Sequence, residues 1–526
     1  VGYKAYPDNV IQAFIVESAQ MGVDVFRVFD SLNWIEGMRM SIETIAKETE
    51  SLAQACVCYT GDITDTKDNR FGLQYYVDLA RHLEDAGAHM IAIKDMAGLL
   101  KPQAAEILVH GLKEAVDLPI HLHTHDTSSI QSTTYLKAIE SGVDIVDVAI
   151  SSMSGLTSQP NFNSMVAMLE GHPRENHIDL DSLNSYSDYW ESVRTFYYPF
   201  ETELKAGTAE VYKHEIPGGQ YSNLRPQARG LGLEDRFDDI KNNYKAFNDF
   251  LGGIVKVTPS SKVIGDMAMF MTTNDYSIED IMDPSINIDF PDSFKSLMRG
   301  DLGQWSSPWP EGLQKRVLKE EEPYTTRPNA QLPKVDLKSG FEQFKKEHPG
   351  FDEFTDYLSS LLYPKVLEDF YQHWLAYGDV SKIPTKPFFY GLKKGEEIAV
   401  DIVIGKTIIV EYLNTNEPDK NGHRLVFFRI NGDIRAVSVQ DNTITSEARV
   451  IVKATKENEV GSPLLGRLSK ILVSVGDKVK ANDELFIIEA MKMESTISSP
   501  MDGTVKNVLL PEKTMVEQGE LIVELE

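Results

Sequence analysis

The first half of the chain is predicted to be an α/β TIM barrel, partial because its first strands are missing, within a multidomain protein. Three observations point there. Short apolar runs over 24–29, 55–59, 89–94, 119–124 and 144–149 begin roughly 25 to 35 residues apart, room for a strand, a helix and two short loops. Amphipathic stretches separate the runs, so the strands pair in parallel beneath covering helices. Polar residues stand where the runs end: Asp30 after the first, Thr60 and Asp62 after the second, Lys94 and Asp95 on the third, His123, His125 and Asp126 on the fourth. The C-terminal face of a (β/α)₈ barrel carries side chains in this way.

An open doubly wound sheet is the rival. No Gly-x-Gly-x-x-Gly turn joins a strand to a helix, and the lysine of a phosphate-binding loop is absent, so the barrel is the better reading. A sixth run, 208–212, follows a longer insertion, which makes six countable strands. Val1 is therefore expected to lie inside the barrel, after its first strand and near the end of its second, in the C-terminal part of a longer polypeptide. A closed six-strand domain is the plainer alternative.

Beyond the barrel the chain turns helical, with helix starts near 279–281 and 291–297 and linker-like stretches at 306–310 and 320–333. Four strand-like runs, 398–404, 406–412, 423–429 and 435–439, are joined by Gly- and Asn-rich turns and predict a small antiparallel β module. The last part contains an internal repeat: SPLLG (462–466) answers SPMDG (499–503), and ELFII (484–488) answers ELIVE (520–524). Two such halves pack as a flattened, quasi-symmetric all-β sandwich. The expected boundaries are 1–305 for the partial barrel and the start of a helical funnel, 306–390 for the helical extension and linkers, 391–450 for the β module and 451–526 for the sandwich.

The 80 acidic residues outnumber the 52 basic ones, and a net charge of -28 argues against a nucleic-acid partner. No apolar stretch approaches the length of about 18 residues that suggests a membrane span, and the first residues, VGYKA, resemble no leader, so a cytoplasmic location without membrane partners is expected. Cys56 and Cys58 share one apolar run, a poor framework for a disulfide-dependent secreted protein.

In HLHTHD (121–126), His121, His123 and His125 alternate, so an extended strand sends all three to one side. Three imidazoles near a barrel mouth point to a divalent metal, zinc or manganese. A further partner stands on the preceding strand, Lys94. Its ammonium has no acceptor, but carbon dioxide would convert the amine to a carbamate with ligand oxygens, and an apolar setting favours the neutral amine that this requires. An ion pair between Lys94 and Asp95 is the plain alternative. In VKVTPSSK (255–262), Thr or Ser caps a helix start with Pro in the first turn, or else hydroxyls, backbone donors and Lys262 converge on an anionic substrate. Lys492 stands between Met491 and Met493, at the junction of the two half-repeats. Core-filling methionines around a solvated lysine would be the plain reading.

Five motifs, FRVFDSLN (26–33), IKDMAG (93–98), HLHTHD (121–126), SMSGLTSQP (152–160) and HEIPGGQ (214–220), resemble, in this order, the carboxyltransferase domain of pyruvate carboxylase. AMKM (490–493) resembles a biotin carrier domain, of biotinyl/lipoyl-like fold, and the flanking methionines favour biotin over lipoate. The resemblance implies that Lys94, carbamylated, binds the metal with His123 and His125, while His121 supports them from deeper in the barrel. It implies that Thr258 shuttles a proton, that Ser261 and Lys262 receive the tethered cofactor, that Tyr3 and Asp30 adjoin the pocket, and that Lys492 carries covalent biotin. The family's fourth metal ligand, from an Arg-Asp-Ala-His-Gln-like motif, and its substrate-binding arginine would both precede Val1. Residues 391–450 match part of an oligomerisation and allosteric domain.

The activity so implied is carboxyl transfer from carboxybiotin to pyruvate giving oxaloacetate, an anaplerotic and gluconeogenic reaction. An upstream biotin carboxylase would use Mg-ATP and bicarbonate, biotin protein ligase would load Lys492, and the assembly would be a homotetramer. An oxaloacetate decarboxylase α chain or a related transcarboxylase is the nearest alternative, disfavoured by the long β module. A noncatalytic carrier or scaffold would leave Lys94, His123, His125 and Thr258 without a task.

Overall fold

The computed structural model describes residues 4–66, 70–202, 204–419, 422–441, 452–490 and 493–526. Tyr3 and Lys492 lie outside these described residues. Packing divides the chain into two compact units: Val1–Trp190, Thr202–Leu362 and Val452–Glu526 in one, Glu191–Glu201 and Tyr363–Ile451 in the other.

In the first unit β1 (Val25–Val28), β2 (Leu52–Cys58), β3 (Met90–Asp95), β4 (Ile120–Thr124) and β5 (Ile145–Val146) form one sheet in the order β1-β2-β3-β4-β5. Every pairing is parallel, as the spacing of the five runs predicts. Between the strands run α2 (Ile35–Glu48), α3 (Leu73–Asp85), α4 (Pro102–Ala115) and α5 (Gln131–Glu140), and α1 (Asp8–Gln20) precedes them. Ala55, Val57, Ile91 and Ile93 on one face and Cys56 and Ala92 on the other are out of water, which is the signature of a parallel sheet covered on both faces. The helices supply that cover through stripes one turn apart, Tyr76, Ala80 and Leu83 on α3 and Ala105, Leu108 and Leu112 on α4. The Tyr76 hydroxyl donates to the Thr60 carbonyl at 2.6 Å and so ties α3 to the end of β2.

The sixth run is not a strand. At 208–212 the Thr208 hydroxyl accepts from the Glu210 N–H at 3.1 Å, and a short helix, Val211–His214, follows. A local side-chain bond to the backbone competes with strand pairing here, and Val211, fully buried, imitates a strand residue in the sequence. The fifth run keeps only two strand residues, after which Ala149 makes one parallel bridge to Asn161.

A second core in the same unit gathers Leu224, Tyr244, Phe247, Ile264 and Phe294 from the helices Gly218–Gly230, Phe237–Phe250, Ser260–Asn274 and Asp292–Arg299. The helix starts expected near 279 and 291 are Ile278–Met282 and Asp292–Arg299, the former opened by a reciprocal Ser277–Asp280 capping box. The second unit contains the expected β module, an antiparallel meander of β6 (Glu397–Val403), β7 (Lys406–Thr415), β8 (His423–Ile430) and β9 (Asp433–Gln440).

The C-terminal sandwich has two four-stranded sheets. One runs β10 (Glu459–Gly461), β17 (Leu521–Leu525), β15 (Gly503–Val508), β12 (Lys478–Val479); the other runs β14 (Met493–Ser498), β13 (Glu484–Ala490), β11 (Gly466–Ile471), β16 (Met515–Val516). Leu468, Phe486, Ile488, Ile522 and Val523 fill the space between. The sequence repeat is a repeat of bonds. Ser462 Oγ donates to Leu464 O at 2.6 Å and Ser499 Oγ to Met501 O at 2.7 Å, while their N–H groups donate to Glu520 O and Asp483 O. The β13–β14 register ends on Ala490 and Met493, the residues that flank Met491 and Lys492 in sequence. Among the described residues, no helix is long and apolar enough to cross a membrane.

Candidate functional site

Parallel pairing puts every strand's C-terminal end on one rim, so the chemistry-bearing ends predicted from the sequence are brought together. Lys94 on β3 is in register with His123 on β4. His125 lies one residue past β4 and remains turned toward His123, with the two Nε2 atoms 3.3 Å apart. Its position depends on Gly98, whose φ is +69° and whose site would place a Cβ 2.4 Å from the His125 carbonyl oxygen.

The tautomers follow from the partners. His123 Nδ1 donates to Asp147 Oδ2 at 2.8 Å, and His125 Nδ1 donates to the Thr157 carbonyl at 2.6 Å. Both acceptors lack a proton, so each ring carries its hydrogen on Nδ1 and its lone pair on Nε2. Burial keeps both rings neutral, lowering His123 and pushing His125, with help from His123 and Lys94, down to about 4. Two opposed lone pairs at 3.3 Å cannot bond each other but suit a shared cation. The pair thus fits a divalent metal. Among the described residues no three His, Cys, Asp or Glu side chains form a ligand set, so a third donor must be of another kind or lie elsewhere.

Lys94 is buried, with its ammonium 4.7 Å from the centre of the Phe29 ring and, among the described residues, no hydrogen bond or ion pair. The plain Lys94–Asp95 pairing is not made. The Asp95 carboxylate instead accepts from the Leu99 and Leu100 N–H groups and the Thr124 hydroxyl, and burial raises it to about 6. His121, the third of the alternating imidazoles, has both ring nitrogens engaged: Nδ1 accepts from Gln54 Nε2 at 2.8 Å and Nε2 donates to Asp147 Oδ1 at 2.7 Å. It supports the pair and is not free to bind a metal beside them.

Asp147 joins this network and escapes sequence reasoning. Burial opposes its charge, yet hydrogen bonds from His121, His123 and Arg27 hold it well below the usual carboxylate range. The signal available was an acidic residue inside the apolar run 144–149. Asp30 is half-buried just past β1, where Oδ1 accepts from the Leu32 and Trp34 N–H groups, and burial pushes it to about 6.

The helix Ser260–Asn274 brings the second half of the site. Its start matches the helix-start reading of VKVTPSSK, but no side chain caps it; the Ser260 hydroxyl reaches the carbonyls of Ser31, Val255 and Val257 at 2.7 to 3.0 Å. Among the described residues Ser261 Oγ is buried without a hydrogen-bond partner, as is Gln220 Oε1, whose amide packs where a Cβ at Gly265 would intrude. Lys262 Nζ donates to Asp266 Oδ2 at 2.7 Å, and Ser293 Oγ donates to the same oxygen at 2.7 Å. A cavity of about 690 Å³ is lined by Met96 just past β3, by Thr258 and Lys262 at the start of the helix Ser260–Asn274, and by Arg467 and Glu489 from the C-terminal sandwich.

Three family patterns match the chain: one described as HMGL-like over residues 11–189, the conserved carboxylase domain over 211–411, and the biotin-requiring enzyme pattern over 458–525. The pyruvate carboxylase of Bacillus subtilis is 46% identical over 528 residues, which is 100% of this chain and 46% of that protein. The human mitochondrial pyruvate carboxylase is 38% identical over 531 residues, 100% of this chain and 45% of that protein. The chain spans about half the length of these curated relatives. Among solved structures, the carboxyl transferase domain of Rhizobium etli pyruvate carboxylase is 48% identical, covers 84% of this chain and 74% of its own, and superposes with a TM-score of 0.81.

Proposed function

The chain belongs to the pyruvate carboxylase family, and from that premise we propose that it moves a carboxyl group from biotin held on Lys492 to pyruvate, giving oxaloacetate. One observation carries this reading. A single cavity is lined at once by Thr258 and Lys262 and by Glu489, which stands three residues before Lys492. Solved relatives with pyruvate and biocytin, or with oxamate and biotin, support the same pair of ligands.

Lys94 as a carbamate, His123 and His125 would hold manganese or zinc, which supplies a Lewis acid for the ketone oxygen, while biotin supplies the carboxyl group. The imidazoles contribute by staying neutral, with Nδ1 protons fixed on Asp147 and Thr157 so that both Nε2 lone pairs are presented. The Thr258 hydroxyl accepts the proton from the pyruvate methyl group and donates its own to the biotin ring nitrogen, so it ends each cycle unchanged. Lys262, aligned by Asp266, and Ser261, whose hydroxyl has no partner among the described residues, offer a cation and a donor to the ring carbonyl. By family resemblance Asp30 and Tyr3 would adjoin the pocket, Tyr3 lying outside the described residues.

Mg-ATP and bicarbonate would serve an upstream biotin carboxylase, biotin protein ligase would load Lys492, and the working assembly would be a cytoplasmic homotetramer. Peptide mass spectrometry of protein from biotin-replete cells tests the attachment. One biotin on Lys492 is expected; efficient modification elsewhere with Lys492 bare overturns it.

A further inference from the structure

The C-terminal sandwich meets the helical layer of the first unit at a small set of polar contacts. Thr496 Oγ1, on β14 four residues after Lys492, donates to Asp292 Oδ2 at 3.0 Å. Lys319 Nζ donates to Asn482 Oδ1 at 3.1 Å, and Leu231 packs against the sandwich core. Thr496 is 8% exposed, whereas the Asp292 carboxylate keeps part of its surface in water and pairs through its other oxygen with Lys295. Asp292 opens the helix Asp292–Arg299, and the next residue, Ser293, holds the Asp266 carboxylate that also receives Lys262. Two adjacent residues therefore bond different partners, Asp292 the carrier and Ser293 the carboxylate that holds the lysine lining the shared cavity.

We propose that the first turn of the helix Asp292–Arg299 is the seat on which the carrier domain docks while it serves the barrel, with Asp292 receiving Thr496 and Ser293 tying the seat to Lys262 through Asp266. This rests on the carboxyl-transfer reading above. The seat selects a carrier domain by a hydroxyl four residues past its modified lysine, and it fixes Lys262 from the same turn. Free biotin, which has no Thr496, needs the second function and not the first.

The test uses the full-length protein, with carboxyl transfer followed as pyruvate release from oxaloacetate, once with the enzyme's own biotinylated carrier and once with free biocytin as the acceptor. Asp292→Ala and Thr496→Val should each slow the carrier route about five- to tenfold, and the double variant should be no slower than either single one. The biocytin route should stay within about twofold of the parent, because Asp292 bonds Thr496 and Lys295 and neither Thr258 nor Lys262. Asp292→Asn, which keeps an acceptor oxygen, should recover most of the carrier route, whereas Ser293→Ala should slow both routes. Equal losses on both routes for Asp292→Ala, or single effects that multiply in the double variant, overturn the proposal.

Amide exchange supplies a readout that does not need the reaction. Segments 292–299 and 494–498 should be protected together in the parent and exchange about tenfold faster in Asp292→Ala and Thr496→Val. Unchanged exchange at both segments overturns the seat even if activity falls. Failure of the parent to release pyruvate with either acceptor sinks the carboxyl-transfer reading instead, and the exchange result then decides the seat on its own.

Discussion

His123 and His125 face each other through their Nε2 atoms at 3.3 Å, and the Nδ1 of each is fixed by a different acceptor, the Asp147 carboxylate and the Thr157 carbonyl. This arrangement makes two neutral imidazoles act as one concave pair of lone pairs. It also makes Asp147 the residue that fixes the orientation of the His123 ring.

Asp147→Asn is predicted to weaken divalent-metal retention about 10- to 100-fold, since outer partners of ligating histidines have effects of that size. The amide can still accept from His123 but no longer stabilises the Nδ1–H dipole with a full charge. Metal content after graded chelator dialysis measures this. Retention equal to the parent would show that Asp147 serves only Arg27 and His121.

Gly98→Ala is predicted to lose metal and stability together, by about 1–3 kcal/mol in stability, because the new Cβ meets the His125 carbonyl at 2.4 Å and φ is +69°. Urea melts and metal analysis on the same preparation check it. A variant with the parental melt and full metal content contradicts the close-approach argument.

Burial lowers His214 to about 4 from 6.5, its Nδ1 accepts from the Ile216 N–H at 3.0 Å, and its ring stacks on Tyr221. The unfolded chain therefore binds this proton first as pH falls. The stability it contributes is complete above 6.5 and is lost as pH drops toward 4, amounting to about 2–3 kcal/mol. The stability difference between parent and His214→Phe should shift against the parent by that amount across this window. A difference that is flat with pH would contradict the buried neutral imidazole.

Ser261 Oγ is buried and, among the described residues, unpartnered, so Ser261→Ala is predicted to leave the melting midpoint unchanged or slightly raised while the KM for free biocytin rises several-fold. A lowered melt with an unchanged KM would assign the hydroxyl to the fold and not to the ligand.

The parts of the site carried by regular spacing were legible in the sequence. Alternation on one strand gave His121 and His123, and the regular recurrence of strands gave Lys94 beside them. His125 was legible by position, although it lies past the strand and is held by the Gly98 approach, which no periodicity reveals. Asp147 was not legible because its partners come from β1 and β4, and it follows a strand only two residues long. The pairing of Lys262 with Asp266 obeys helical spacing and was readable in principle, but Ser293, 27 residues away from Asp266, was not. The run 208–212 misled because the buried Val211 lends it a strand's composition while Thr208, three residues earlier, accepts a turn's hydrogen bond from the Glu210 N–H.

The central claim is that Thr258 passes the proton between pyruvate and biotin, and Thr258→Ala in the full-length protein tests it most directly. Circular dichroism, metal content and Lys492 biotinylation must first match the parent. ATP- and bicarbonate-dependent carboxylation of biotin is then predicted to be largely intact, while oxaloacetate formation falls about a hundredfold or more, the scale of a lost general acid–base. Conversion of pyruvate at near-parental rates by the matched variant would contradict the account and return Thr258 to the role of a residue at a helix start.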